Sequence, residues 1–86
     1  MGVEKICNNP YYDFGDNIRY ERKRRKFSIA YIAELTHFSV NYVGMLERNE
    51  RTPSLEAVQI FCHLYDLTPN ELLLPREGVT YKYSLV

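Results

Sequence analysis

The twenty residues from Ile29 to Arg48 are predicted to form two short helices separated by a tight turn. This run constrains the fold more than any other part of the chain. Ser28 precedes the first helix and Ser39 the second, each in the N-cap position, where a hydroxyl accepts from a free backbone N–H. His37 and Phe38 form the turn. Two helices this short need further helices to pack against, because isolated short helices are marginal in water.

An amphipathic segment before this pair is predicted to form another helix. It begins near Phe14–Asp16, with Asp16 or Asn17 close to its N-terminus, and runs to about Lys26. Residues spaced by three or four positions share a helix face. Phe14 and Ile18 therefore face inward, and the outer face carries a basic stripe formed by Arg19, Lys23 and Lys26.

Two more helices are predicted after a loop over residues 49–53. Ser54 is a suitable N-cap for a fourth helix, and Thr68-Pro69-Asn70-Glu71 is a capping box that opens a short fifth helix through Leu74. We therefore predict an all-α domain of five helices. The predicted core consists of apolar residues at helical spacing: Phe14, Ile18, Ile32, Ala33, Val43, Leu46, Leu55, Val58, Phe61, Cys62 and Tyr65.

The C-terminal residues alternate in polarity, with Val79, Tyr81, Tyr83 and Leu85 on one side. This pattern predicts a short terminal β-strand. A lone strand is not stable, so it must pair either with the N-terminal segment or with the same strand of a second chain.

Charge is unevenly distributed along the chain although eleven basic and eleven acidic residues cancel. Residues 18–53 carry eight Lys or Arg against four acids, and the rest of the chain carries three against seven. A local positive excess attracts phosphates. The predicted helix pair therefore lies in the part of the chain best suited to a nucleic acid.

Several classes of function find no support in the sequence. Cys7 and Cys62 are far apart and His37 and His63 stand alone, so no metal site and no catalytic residues are predicted. No cofactor is expected. The sequence shows no membrane-spanning stretch and no secretory signal pattern, so a cytoplasmic protein is expected.

Five segments of the chain together resemble one known family. They are Ile18 to Arg22, Ser28-x-x-x-Ile32-Ala33, Ser39-x-Asn41-Tyr42-Val43-x-x-Leu46-Glu47-Arg48, Pro53-Ser54-Leu55 and Thr68-x-x-Glu71-Leu72. In this order and spacing, the stretch Ile18–Leu73 resembles the Cro and phage-repressor type of helix-turn-helix domain, the XRE family of bacterial regulators. The resemblance covers about two-thirds of the chain. It implies a lambda-repressor-like DNA-binding domain whose third helix, residues 40–48, enters the major groove.

The resemblance also implies a structural ion pair between Arg22 and Glu47, which would set the angle between the first and third helices. Three positions depart from the family pattern. His37 and Asn49 replace glycines, and both residue types tolerate the positive φ that those positions need. Ile29 replaces a glutamine that contacts DNA, so that contact is lost and the isoleucine is left to pack on Phe27 or on a partner.

By the same resemblance, four residues of the third helix and its cap contact bases: Ser39, Val40, Asn41 and Met45. Asn41 can form a paired hydrogen bond with an adenine edge, and Val40 and Met45 can touch thymine methyl groups. Phosphate contacts are expected from Ser28, Tyr42, Arg48, Arg51 and Lys26. Charge runs on helices are usually only solvated, so the basic run 22–26 supports phosphate contact less strongly than Arg51 does.

We predict a sequence-specific, repressor-like transcriptional regulator that binds double-stranded DNA as a homodimer, because one such domain contacts few base pairs. The competing hypothesis is a protein-interaction module, of the antitoxin or repressor-partner type, with little DNA affinity. Zero net charge, Ile29, Met45 and the aromatic tail favour it. Neither hypothesis includes a membrane or a small-molecule ligand.

The expected organisation has three parts. Residues 1–13 form an N-terminal extension, and residues 14–74 form the DNA-binding domain with the helix-turn-helix motif at 29–48. Residues 75–86 form a C-terminal tail that contains the candidate dimerisation strand.

Overall fold

A computed structural model of the protein describes residues 12–74. Five helices follow one another along this part of the chain: α1 Tyr12–Arg24, α2 Ile29–Thr36, α3 Val40–Glu47, α4 Leu55–Tyr65 and α5 Pro69–Leu73. Helices α2 and α3 pack against each other, α1 contacts both α3 and α5, and α4 contacts α2 and α5. All the regular elements between residues 12 and 74 are helices, which confirms the all-α prediction there.

Helices α2 to α5 begin at the predicted hydroxyl caps. The side chains of Ser28, Ser39 and Ser54 each accept from the backbone N–H three residues later, at 3.0 Å. Thr68 and Glu71 form the reciprocal capping box, in which Thr68 N donates to Glu71 Oε1 at 2.8 Å and Glu71 N donates to Thr68 Oγ1 at 3.2 Å. These bonds satisfy donors that the first helical turn leaves free.

Helices α1 to α4 are each followed closely by a residue with left-handed backbone, and none of the four is glycine: Lys26, His37, Asn49 and Asp66, with φ between 58° and 67°. The positive φ expected at His37 and Asn49 is thus confirmed. After Lys26, Asn49 and Asp66, the next backbone N–H donates to a carbonyl five residues earlier, at 2.8 to 3.1 Å. This closure satisfies carbonyls at the helix C-terminus.

The core lies where the five helices meet. Its buried apolar residues are Phe14, Ile18, Ile32, Ala33, Val43, Leu46, Ala57, Val58, Phe61, Tyr65 and Leu72. At its centre, the Phe61 ring meets Phe14 edge-on with centroids 5.9 Å apart, and Phe38 packs on its other side at 6.2 Å. Nine of the eleven predicted core residues are buried, and Cys62 is half-buried against the cluster.

Leu55 was expected in the core and is 75% exposed, so that prediction is wrong. Leu55 is the first residue of α4, and helical side chains point back toward the N-terminus. Its side chain therefore extends past the end of the core. The neighbouring Pro53, in the loop before α4, is buried.

The predicted limits of α1 are also wrong. The helix begins at Tyr12, inside the expected N-terminal extension, and ends at Arg24. Asn17 is not near its start but buried in its middle, where the side-chain amide donates to the carbonyls of Leu72 at 2.8 Å and Leu74 at 2.7 Å. Lys26 lies beyond the helix in the left-handed turn, so it does not continue the stripe of Arg19 and Lys23.

Several expectations concern residues outside the described range. The terminal strand, the tail over 75–86 and residues 1–11 of the extension all fall there. Among the helices of residues 12–74, the longest has 13 residues, and none is long and apolar enough to cross a membrane.

Candidate nucleic-acid interface

A two-point ion pair joins α1 to the end of α3. Arg22 Nε donates to Glu47 Oε2 at 2.7 Å, and Arg22 Nη2 donates to Glu47 Oε1 at 3.0 Å. The third nitrogen, Nη1, donates to the carbonyl of Phe27 at 2.9 Å. Hydrogen bonding to Glu47 raises the pKa of Arg22 above its usual value. Because the planar guanidinium fits a carboxylate in one orientation, the pair limits rotation of α3 relative to α1.

Gly15 allows α1 to approach the last turn of α3 very closely. A Cβ atom at position 15 would overlap the backbone carbonyl oxygen of Leu46 and lie 2.5 Å from Oδ1 of Asn49. Since the carbonyl belongs to the backbone, it cannot move aside as a flexible side chain can. Gly15 and the Arg22–Glu47 pair together determine how α3 is held.

The N-terminal part of α3 is presented to solvent. Ser39 and Asn41 are exposed, and Val40 is 53% exposed. Met45 is half-buried, so it offers only part of its side chain. The Ser39 oxygen is used as the helix cap, which leaves its hydroxyl proton available to a ligand. Three of the four predicted base-contacting residues thus lie at the N-terminal end of the helix, and Met45 lies one turn after Asn41.

The predicted phosphate-contacting residues lie on α3 itself, in the segment after it and in the segment before α2. Tyr42 and Arg51 are in contact, with the guanidinium carbon of Arg51 5.7 Å from the centre of the Tyr42 ring. The Tyr42 ring in turn meets Phe38 edge-on at 5.0 Å. Lys26 and Ser28 are both exposed in the segment that leads into α2.

Arg48 is engaged with Glu50, a residue for which no role was predicted from the sequence. Its Nε donates to Glu50 Oε2 at 3.0 Å and its Nη2 donates to Glu50 Oε1 at 3.1 Å. Both side chains are 52% exposed. The hydrogen bond raises the pKa of Arg48 and lowers the pKa of Glu50.

The basic run 22–26 divides into internal and external residues. Arg25 Nη1 lies 2.5 Å from Glu21 Oε1, its Nη2 donates to the Tyr65 carbonyl at 3.3 Å, and its guanidinium lies 4.7 Å from the Tyr65 ring centre. Arg24 lies 3.8 Å from the same carboxylate. Lys23 and Lys26 stay exposed. Arg25 is therefore engaged within the domain, whereas Lys23 and Lys26 are accessible.

Tyr65 places its hydroxyl group inside this part of the domain. The residue is 2% exposed, and its hydroxyl oxygen has no hydrogen-bond partner among residues 12–74. Burial of the hydroxyl group raises the pKa of Tyr65, and the nearby Glu47 carboxylate raises it further. The hydroxyl is thus held neutral close to the ion pair that supports α3.

The residues missed from the sequence carried little local signal. Gly15 and Asn17 act on Leu46 and Leu72, which are 31 and 55 positions away in sequence, and nothing local indicates such contacts. Glu50 is different, since an acid two residues after Arg48 could have been noticed as a partner.

Comparison with known proteins agrees with this geometry. A family model described as helix-turn-helix, of the Cro and XRE type, matches residues 18–72, which is more than half of the chain. No curated protein and no solved structure matches the chain significantly. The matched family is one of DNA-binding regulators and not of enzymes. The chain therefore belongs to the Cro and XRE type of helix-turn-helix family, whose members are DNA-binding transcriptional regulators.

Proposed function

We propose that the protein is a sequence-specific repressor that inserts α3 into the major groove of double-stranded DNA. The observation that carries the proposal is the exposed N-terminal end of α3, with Ser39, Val40 and Asn41 all accessible on a helix that packs against α1 and α2. An α-helix fits the major groove, and helix-turn-helix proteins read bases from the N-terminal residues of this helix.

The fixed orientation of α3 favours base-specific contacts over nonspecific electrostatic binding to DNA. A bidentate hydrogen bond from Asn41 to adenine needs a defined helix orientation. The Arg22–Glu47 pair and the close contact at Gly15 supply one, since both restrain the last turns of the helix. Val40, at 53% exposure, supplies an apolar surface for a thymine methyl group. We expect operators rich in A·T pairs.

Phosphate contacts would come from both sides of α3. Arg51, held over the Tyr42 ring, is placed in the loop after the helix. Lys26 and Ser28 are exposed ahead of α2, whose N-terminus also favours an anion. Such contacts fix the register of the protein on the duplex and make its affinity depend on salt.

We further propose that two chains bind together on a palindromic site, because one module contacts few base pairs and dimers gain useful affinity. The candidate dimerisation strand over 79–86 would contribute to this contact. Sedimentation equilibrium of the full chain should give the mass of a dimer, and deletion of 79–86 should shift it to the monomer. A monomeric full chain would remove the dimer hypothesis, and an unchanged mass after deletion would remove the role of the strand.

The decisive experiment is selection of a bound site from random duplexes, followed by fluorescence anisotropy with that site and with a scrambled duplex. Asn41→Ala should weaken binding to the selected site by about tenfold, the value of one lost base contact, and leave the scrambled duplex unaffected. Arg51→Ala should weaken binding to both and reduce the salt slope by about 0.9.

Two variants serve as matched controls. Asn70 is, like Asn41, the exposed second residue of a helix, and Asn70→Ala should leave DNA binding unchanged. Arg19 is an exposed arginine on α1, and Arg19→Ala controls for the loss of one positive charge. Failure to bind any duplex at 50 mM salt would contradict the proposed function.

A second candidate function is a protein-interaction module, and a specific surface favours it. Leu35, Ile60 and Leu64 line an apolar groove of about 280 Å³ between α2 and α4. Ile29 supports this candidate less than expected, because it is half-buried against the core. A chain that binds no duplex but forms a stable complex with a second protein through this groove would favour the module.

A further inference from the structure

Glu50 binds Arg48 along one edge of its guanidinium. The two hydrogen bonds, 3.0 and 3.1 Å long, use Nε and Nη2 and leave the carboxylate with both oxygens engaged. A phosphate would use the same donors in the same two-point geometry. Glu50 and a DNA phosphate therefore compete for the same donors of Arg48. This inference rests on the proposed function, in which Arg48 binds a phosphate.

The backbone holds the competitor in place. Asn49 has φ of 60°, and the Glu50 N–H donates to the Met45 carbonyl at 2.8 Å, which closes the end of α3. This turn brings the Glu50 side chain back beside Arg48. The bonded carboxylate has a lowered pKa, so it stays charged through mildly acidic conditions.

The Arg48 side chain is also accommodated by α3 itself. A Cβ atom at position 44 would lie 2.9 Å from Arg48 Nη1, so the absence of a side chain at Gly44 leaves space for the guanidinium. Gly44 is buried as a result, although it sits on a helix with an exposed face. Arg48 is thus folded back along α3 rather than extended toward solvent.

The surface position of the pair excludes a main role in stability. With both side chains 52% exposed, water screens the attraction, and such pairs contribute little to folding. Their location matters more, since Arg51 follows directly and both arginines belong to the segment expected to meet the DNA backbone. The only acid in residues 48–53 is Glu50.

We propose that Glu50 lowers the affinity of the domain for DNA by holding Arg48 in an intramolecular ion pair that must open before Arg48 can bind a phosphate. On binding, Arg48 exchanges one anion for another and leaves the Glu50 carboxylate uncompensated beside the duplex. Because the freed Glu50 carboxylate offsets the charge of Arg48, binding releases fewer counterions from the DNA than it would with an unpaired arginine. The wild-type chain therefore binds more weakly and with a shallower salt dependence than a chain without the Glu50 carboxylate.

The test compares the full chain with Glu50→Gln, using a random-sequence duplex of about 20 base pairs because phosphate contacts do not depend on sequence. Because an exposed ion pair is weak, the need to open it reduces affinity by only a few-fold. We expect Glu50→Gln to bind about two- to fivefold more tightly than wild type at 50 mM salt and to show a steeper salt dependence.

Glu34→Gln is the matched control, since Glu34 is an exposed glutamate on α2 without an ion pair among residues 12–74. Arg48→Ala and the double variant complete a cycle that separates release of Arg48 from simple loss of a negative charge. The gain from Glu50→Gln should be smaller in the Arg48→Ala background, because only the loss of the negative charge remains there.

Each remaining outcome has a distinct meaning. A gain of the same size without Arg48, or an equal gain from Glu34→Gln, overturns the competitor role while leaving DNA binding intact. Wild-type binding with no gain in Glu50→Gln does the same. Absence of binding by every variant at 50 mM salt overturns this inference and the proposed function together.

Discussion

Glu47 and Arg48 are consecutive residues at the end of α3, and each forms a two-point ion pair with similar distances. The Glu47 side chain is 5% exposed and its partner Arg22 is 12% exposed, whereas Arg48 and Glu50 are each 52% exposed. In the inner pair, loss of one partner leaves a charge buried without compensation. In the outer pair, water replaces the lost partner. The same chemistry is therefore enclosed within the fold in one region and open to water in the other.

The largest expected difference between the two pairs is in stability. Glu47→Ala should lower the free energy of unfolding by about 3 kcal/mol, because Arg22 loses its partner in a buried position. Glu50→Ala should leave the midpoint of urea unfolding unchanged. Urea titration followed by circular dichroism measures both, and equal shifts in the two variants would show that burial does not separate the pairs.

The two helical glycines next to these pairs should respond in opposite directions. Gly15→Ala should lower the free energy of unfolding by about 2 kcal/mol, because its Cβ meets the backbone of Leu46. Gly44→Ala should raise it by about 0.5–1 kcal/mol, since it meets only the mobile end of Arg48 and alanine favours a helix. Thermal unfolding of both variants tests this contrast, and a destabilised Gly44→Ala would contradict it.

Alkaline pH should affect the inner region through Tyr65. The folded state raises the pKa of Tyr65 above the unfolded value of about 10, so the unfolded chain releases this proton first. The contribution to stability is complete below about pH 10 and is lost as the pH rises further, by up to about 1.4 kcal/mol per pH unit. Urea midpoints between pH 8 and 11 measure the loss, which should be smaller in Tyr65→Phe. Identical curves would refute the assignment.

The left-handed turns should give the smallest effects. Lys26→Gly should raise the free energy of unfolding by about 0.5–1 kcal/mol, because glycine adopts positive φ without strain. Asn49→Gly should give less, since asparagine already tolerates this conformation. The first turn places the Phe27 carbonyl that Arg22 contacts, and the second places Glu50. Differential scanning calorimetry resolves such gains, and a destabilised Lys26→Gly would indicate that its side chain stabilises the fold.

Features of the fold that depend on local contacts could be predicted from the sequence. The caps at Ser28, Ser39 and Ser54 join residues three apart, and a short motif therefore contains the complete interaction. The positive φ at His37 and Asn49 followed from comparison with a family pattern and from the backbone preferences of these residue types. The order and spacing of the five motif segments along the chain were enough to identify the helix-turn-helix family, which the match over residues 18–72 confirms.

Prediction failed where a residue depends on distant neighbours or on its place within an element. The spacing of Leu55 places it on the same face as the buried residues of α4. It is exposed because the first turn of the helix extends past the end of the core, which the spacing does not show. Arg25 lies in the basic run 22–26, and the contacts of its guanidinium with Glu21 and Tyr65 could not be predicted from that run alone. The roles of the candidate base-contacting and phosphate-contacting residues remain predictions for the binding experiments.

The amino-acid sequence by itself determined the helix starts marked by hydroxyl caps, the left-handed positions His37 and Asn49, and the family, because these depend on interactions within a few residues. Tertiary structure decided how α3 is held and which charges stay available. Gly15 meets Leu46 only after α1 has crossed α3, and the burial of Glu47 but not Glu50 is set by that same packing. Burial changes the strength of an ion pair through the loss of water, and no sequence of charges specifies where water is excluded.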